Sequence, residues 1–147
     1  MELILKHGKV YQNHGFARKD VRIRDGKIIE VGENLDISAS PSAITPSAIT
    51  SSDVKVQVID VRGLSVIPGL IDIHTHGAVG VDVNSAKAED FEKICRFQAS
   101  QGTTGWLGSV LTDTREQTLW CIEQFKQWEK LEHQGAELLG IHLEGPF

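Results

Sequence analysis

Two histidines stand two apart at the end of an apolar run, His74 and His76 in "VIPGLIDIHTHG" (residues 66–77), and imidazoles so placed suit a divalent metal ion. Residues i and i+2 of a strand point to the same side, so both rings are expected on one face at the carboxyl end of that strand. Imidazole nitrogens take such an ion at about 2.0–2.1 Å and leave other positions for a carboxylate and water. A second polar cluster, "IHLEGPF" at 141–147, also closes an apolar strand. Its Glu144 follows Leu138, Leu139, Ile141 and Leu143, and carboxylates in such places are usually paired or metal-bound. His142 shares the face of Glu144 by the two-residue period. It reads equally as a substrate contact, as a support for a ligand, or as a filled core position. Asp72, two residues before His74, lies one layer deeper, where it either orients an imidazole or simply stays hydrogen-bonded. A bare His-x-His would more often be a chance feature of a polar strand end. The buried strand, the preceding Pro-Gly and the following Gly77 narrow the field here.

The elements that must position these residues fall into two stretches. From Glu2 to about Val66 the pattern has the two-residue period of strands, in "ELIL", "DVRIRDGKIIEVG" and "VKVQVIDVRG", which describes a small all-β unit over 1–66. Asp25-Gly26 between alternating runs predicts a two-residue hairpin. Within this stretch "PSAIT" occurs twice in succession. A recognition segment is one reading; the plainer one is a solvated loop enlarged by duplication, mobile because it has few large apolar groups.

After Pro68 the period changes, and a second domain over 67–147 is expected. "LIDIH" reads as a strand, and "AEDFEKICRFQASQG" as a helix whose buried face carries Phe91, Ile94, Cys95 and Gln98 and which stops at Gly102. "TTGWLGSVLT" is the next strand. Asp113 with Glu116 has the form of a capping box opening a helix with Thr118, Cys121, Ile122, Phe125 and Trp128 on one stripe, ended by Gly135. "AELLGIHLEGPF" is a third strand. Strand, helix, strand, helix, strand implies an α/β fold of parallel strands joined by right-handed crossovers. "GAVGVD" after the histidines lacks the phosphate-binding glycine fingerprint of a doubly wound sheet, so about three strands and two helices from the N-terminal part of a (β/α)8 TIM barrel are favoured. Active sites of that barrel form at the carboxyl ends of its strands.

Composition excludes some partners. A formal charge of -5 and no run of Lys and Arg argue against nucleic acid. No apolar stretch approaches about 18 residues, which argues against a membrane partner. Cys95 and Cys121 fall within helical patterns as small buried hydrophobes, which suits a reducing, cytoplasmic setting. His7, His14 and His133 read as solvated residues of a turn, a loop and a helix end.

"VIDVRGLSVIPGLIDIHTHG" is similar to the first barrel strand of the amidohydrolase superfamily, and "GIHLEGPF" resembles the third-strand signature of its N-acetylglucosamine-6-phosphate deacetylase family. "VRIRDGKIIEVG" also resembles the small β-sandwich that precedes the metal-dependent-hydrolase barrel in those enzymes. The His-x-His indicates only the superfamily; "HLEGP" is far more specific. The resemblance implies metal-dependent deacetylation of N-acetylglucosamine 6-phosphate, a small amino-sugar phosphate, to glucosamine 6-phosphate and acetate. It implies His74, His76 and Glu144 as metal ligands, zinc as the ion with iron, manganese or cobalt as alternatives, and a homodimer in the longer parent. Its catalytic aspartate and two further histidine ligands are expected beyond Phe147, so no catalytic residue is assigned in this chain and the 147 residues are expected to be inactive alone. The rival within the superfamily is an enzyme of the dihydroorotase or dihydropyrimidinase type, which usually bridges two metals with a carbamylated lysine on a later strand. From another class, a non-catalytic binding or assembly module competes.

Overall fold

A computed structural model describes residues 2–36 and 56–145, and these fold as an α/β chain of mostly strands with two α-helices. The repeated "PSAIT" lies outside the described residues. The chain divides into two compact units, 1–68 and 69–147. No helix among the described residues is long and apolar enough to cross a membrane.

In the first unit β1 (Glu2–Gln12), β2 (Gly15–Arg24), β3 (Lys27–Gly32), β4 (Val56–Asp60) and β5 (Ser65–Val66) form one sheet. The sequence suggests sandwich strands; among the described residues they share a single five-stranded sheet in the order β3-β2-β1-β4, with β5 also on β1. The Asp25-Gly26 hairpin forms, with φ of 49° and 77° and Arg24 paired to Lys27. β1 runs well beyond the expected "ELIL", turning at Asn13-His14 into β2.

His7 is not in a turn. It sits in a bulge of β1 with φ of 65°, between the pairs Leu5–Val21 and Gly8–Lys19. The buried Asp20 opposite holds this bulge. One of its oxygens accepts from the His7 amide at 2.7 Å, and the other accepts from the Leu35 amide at 3.0 Å and pairs with Lys6 Nζ at 2.7 Å.

The second unit is built on three parallel strands, β6 (Leu70–Thr75), β9 (Thr103–Val110) and β10 (Glu137–Leu143), with β9 in the middle. A short ribbon of β7 (Gly77–Ala78) and β8 (Val81–Asp82), unforeseen in "GAVGVD", and a 3-10 turn at Ala88–Asp90 lead into α1 (Phe91–Ser100). α1 buries Phe91, Ile94, Cys95 and Gln98, as its period predicts. Phe91 and Ile94 are fully buried against Trp106 of β9 and its neighbours, a gain of roughly 1.5–3 kcal/mol for each side chain.

α2 (Arg115–Trp128) differs in detail from its sequence reading. Its cap is Thr114, whose hydroxyl accepts from the Gln117 amide at 3.2 Å, and Asp113 instead accepts from the Thr114 amide. Its buried stripe is Cys121, Gln124, Phe125 and Trp128, while Thr118 and Ile122 are only partly covered. The unforeseen Gln124 is buried because its Oε1 accepts from the Ala88 amide at 3.2 Å. The helix stops at Trp128, well before Gly135.

Candidate metal centre at the strand ends

All the groups of this site come from the second unit. β6 delivers His74 and, one residue past its end, His76; Glu144 stands immediately after β10. Two glycines let the chain leave each strand at once. Gly77 has φ of 135°, and a Cβ there would lie 2.0 Å from the Val81 carbonyl oxygen; a Cβ on Gly145 would lie 2.2 Å from Thr112 Oγ1. Gly77 opens β7 opposite Asp82, the Val79-Gly80 turn closes the β7–β8 ribbon, and the Val83 amide donates to the His76 carbonyl at 2.8 Å. Glu144 is anchored through its own amide, which donates to the Val110 carbonyl at 3.2 Å.

The structure brings the three side chains together. One ligand atom from each of His74, His76 and Glu144 lies within 4.8 Å of the others. His74 Nε2 is 3.3 Å from His76 Nε2, and Glu144 Oε1 lies 2.5 Å from His74 Nε2 and 3.3 Å from His76 Nε2. A tetrahedral ion with bonds of about 2.0–2.1 Å would set its ligands roughly 3.3–3.4 Å apart. Two of the three separations meet that spacing; the third is a hydrogen-bond distance that Glu144 would have to relax. Two imidazoles and a carboxylate are also the donor types a divalent zinc-like ion takes. The residues fit such an ion.

The surroundings fix the rings. His76 Nδ1 is 3.2 Å from the carbonyl oxygen of Ser109, and since a carbonyl only accepts, Nδ1 carries the hydrogen. In the neutral ring that leaves the Nε2 lone pair directed at the cluster. Asp72 does not reach an imidazole: one oxygen accepts from the His74 amide at 3.1 Å and the other from Gln98 Nε2 at 3.0 Å. It therefore ties the backbone of the ligand strand to the buried face of α1. His142 lies in the site, its ring edge-on to His74 with centroids 4.7 Å apart, and its Nδ1 is 3.1 Å from Ser109 Oγ. Ser109, unremarked in the sequence, is the residue missed. A serine inside "WLGSVL" breaks no periodicity, and only strand pairing reveals its two contacts. His7 and His14 belong to the first unit, and His133 lies against Trp128 with ring centroids 4.6 Å apart.

No family model matches the chain. Over 94% of its length it is 31% identical to an N-acetylglucosamine-6-phosphate deacetylase of Bacillus subtilis, covering 32% of that protein. Over 71% of its length it is 34% identical to a D-hydantoinase of Ralstonia pickettii, covering 19% of it. The solved N-acetylglucosamine-6-phosphate deacetylase of Thermotoga maritima superposes on 97% of the chain with a TM-score of 0.69 at 25% identity, the match covering 32% of that structure. The class that fold and site resemble is thus the amidohydrolase superfamily. Within it, the chain is similar over nearly its whole length to part of N-acetylglucosamine-6-phosphate deacetylases. It spans about a third of the length of the curated relatives it matches.

Proposed function

We propose that this chain carries the first metal ligands of a metal-dependent amide hydrolase that deacetylates N-acetylglucosamine 6-phosphate to glucosamine 6-phosphate and acetate. The observation that carries the reading is the convergence of His74, His76 and Glu144 from two strand ends onto one point. On this reading residues 67–147 are the opening strands and helices of a (β/α)8 barrel and residues 1–66 contribute to a sandwich domain, in a protein that works as a homodimer. Parallel β6, β9 and β10 with ligands at their carboxyl ends support the barrel, because active sites of that fold form there.

His74 and His76 hold the ion through Nε2 and Glu144 through its carboxylate. A bound zinc ion lowers the pKa of its water towards about 7 and polarises the amide carbonyl. The chain's own contribution is to fix those donors: Ser109 sets the tautomer of His76, Asp72 sets the backbone of His74, and the Val110 carbonyl sets the start of the Glu144 turn. The acid that protonates the departing amine is not among these residues. The 147 residues alone are therefore inactive on this reading. Relatives named as hydantoinase and dihydropyrimidinase keep a cyclic-amide substrate as the second reading, and Glu144 within the cluster favours the deacetylase.

The test compares acetate release from N-acetylglucosamine 6-phosphate by this chain and by a protein of the relatives' full length, both with added Zn²⁺, together with ring opening of dihydrouracil. The longer protein should release acetate and lose that activity with Glu144→Gln. Turnover by the 147 residues within about tenfold of it, a barrier difference of ~1.4 kcal/mol, would show that the catalytic apparatus is misplaced. Hydrolysis of dihydrouracil alone would overturn the substrate.

A further inference from the structure

Resting on the reading that His74, His76 and Glu144 are the ligand set, we infer that Ser109 and His142 form a strut that holds both ligand imidazoles in place. Ser109 lies near the end of β9, the strand between the two that supply ligands, and it is fully buried. It reaches both sides. Its carbonyl accepts from His76 Nδ1 on the β6 side, and its hydroxyl meets His142 Nδ1 on the β10 side, where His142 is its direct pairing partner. His142 then presents its ring edge to His74 at an interplanar angle of 79°. His74 is flanked on another side by the ring of His76, with centroids 5.2 Å apart. One residue of the middle strand thus governs His76 through its backbone and His74 through an intermediary ring.

Packing alone would not select a serine here. The next residue, Val110, is buried and apolar, and an apolar side chain at 109 would remove the need to satisfy a buried hydroxyl. The hydroxyl earns its place by what it restrains. An imidazole turns about two side-chain torsions, and a bond from Nδ1 to a buried group removes that freedom from His142, and through it from His74. Partners that orient ligand imidazoles typically contribute 10–100-fold in metal affinity. Ser109 and His142 are positioning residues: neither supplies a ligand atom to the cluster.

The test uses the 147-residue chain with Co²⁺, whose visible bands report coordination geometry, and Zn²⁺ by competition. The variants are Ser109→Ala, His142→Phe, the two combined, and Ser109→Thr. His142→Phe keeps a ring against His74 while deleting the nitrogen that meets Ser109. Each single variant should weaken Zn²⁺ binding roughly tenfold and shift the Co²⁺ bands. The double variant should bind no more weakly than the weaker single, and Ser109→Thr should restore the wild-type spectrum. Thermal melts without metal identify any loss of fold in Ser109→Ala, in which case the half-exposed His142→Phe carries the test. Affinities within twofold of wild type with unchanged spectra, or losses that multiply in the double variant, overturn the strut. A protein of the relatives' full length that binds no ion, or a His74→Ala variant of either length that binds as well as its parent, overturns the ligand assignment itself.

Discussion

The two units treat ionisable side chains in opposite ways. In the first, Glu2 is buried and shared between Arg22 Nη1 at 2.8 Å and the Nε and Nη2 of Arg24 at 3.0 and 2.8 Å, while Asp20 is spent on Lys6 and two amides. Arg22 is 1% exposed and also donates to the Asp36 carbonyl. Both of these buried acids have cations beside them, and Asp20 has two amides as well. In the second unit, Glu144 faces two imidazoles at a strand end, and the side chains of His74, His76 and Glu144 remain 49%, 41% and 30% exposed. Buried and mutually neutralised charge fixes a fold; half-exposed donors converging on a point, with no strong cation among them, leave capacity for a ligand. Polarity alone does not separate the two cases. What separates them is whether the partners are already supplied.

The sharpest way to break this contrast is to remove a donor. His74→Ala or Glu144→Gln should lower Zn²⁺ affinity by more than about 100-fold, beyond the range of supporting residues, with the melting temperature of the metal-free chain little changed. Equilibrium dialysis and calorimetry measure the two quantities. If either variant unfolded the metal-free chain, the second site would be structural like the first.

The converse substitution is Glu2→Gln. It takes one of two carboxylates from the buried Arg22, whose Nε stays 3.1 Å from Glu30, and should cost up to about 3–5 kcal/mol, confined to the first unit. Hydrogen exchange resolved along the chain should show β1 and β2 losing protection. Trp fluorescence offers a second view, since Trp106, Trp120 and Trp128 all lie in the second unit and should keep their signal.

Acid should separate the units less abruptly. Burial would raise the carboxyls of Glu2 and Asp20, but Arg24 and Arg22 for the first, and Lys6 with the amides of His7 and Leu35 for the second, hold both below their ordinary values of 4.5 and 3.8. With folded values below unfolded ones, protons bind the unfolded chain more readily. Their stabilisation is complete above the ordinary values and is lost as pH falls through the lowered ones. An acid titration followed by hydrogen exchange should therefore show the first unit weakening below about pH 4.5, and Glu2→Gln should flatten that dependence.

The smallest effect belongs to a surface pair. Arg96 donates to Glu92 one helical turn away at 2.6 Å with its side chain 60% exposed, and Arg96→Ala should shift stability by only about 0.3–0.5 kcal/mol. A calorimetric loss several times larger would show that exposed charge matters here as much as buried charge.

The parts legible in the sequence were those with a period. His74 and His76 share a face because strands alternate, and Phe91, Ile94, Cys95 and Gln98 share one because helices turn every 3.6 residues. Choices between equivalent local patterns were not legible. Asp113 with Glu116 and Thr114 with Gln117 satisfy the same capping rule one residue apart, and the folded chain uses Thr114. The bulge at His7 depends on Asp20 across the hairpin, and the partners of Asp72 on the docking of α1. Ser109 matters only because β9 lies between β6 and β10.

His74 and Glu144 are 70 residues apart in the chain yet touch at the strand ends. The site has no local precursor: it exists only when β9 has paired with both neighbours. During synthesis at about 5–20 residues per second, the histidine pair leads its carboxylate by roughly 4–14 s. Throughout that interval two imidazoles without their third partner form at most a weak site. An ion that binds only the completed arrangement shifts the unfolding equilibrium by RT ln(1 + [ion]/Kd), about 2.7 kcal/mol at a hundredfold excess over Kd. On the proposed reading, the strand order would make the ion a late thermodynamic lock, closing on chains whose three parallel strands have assembled in register and passing over those that have not.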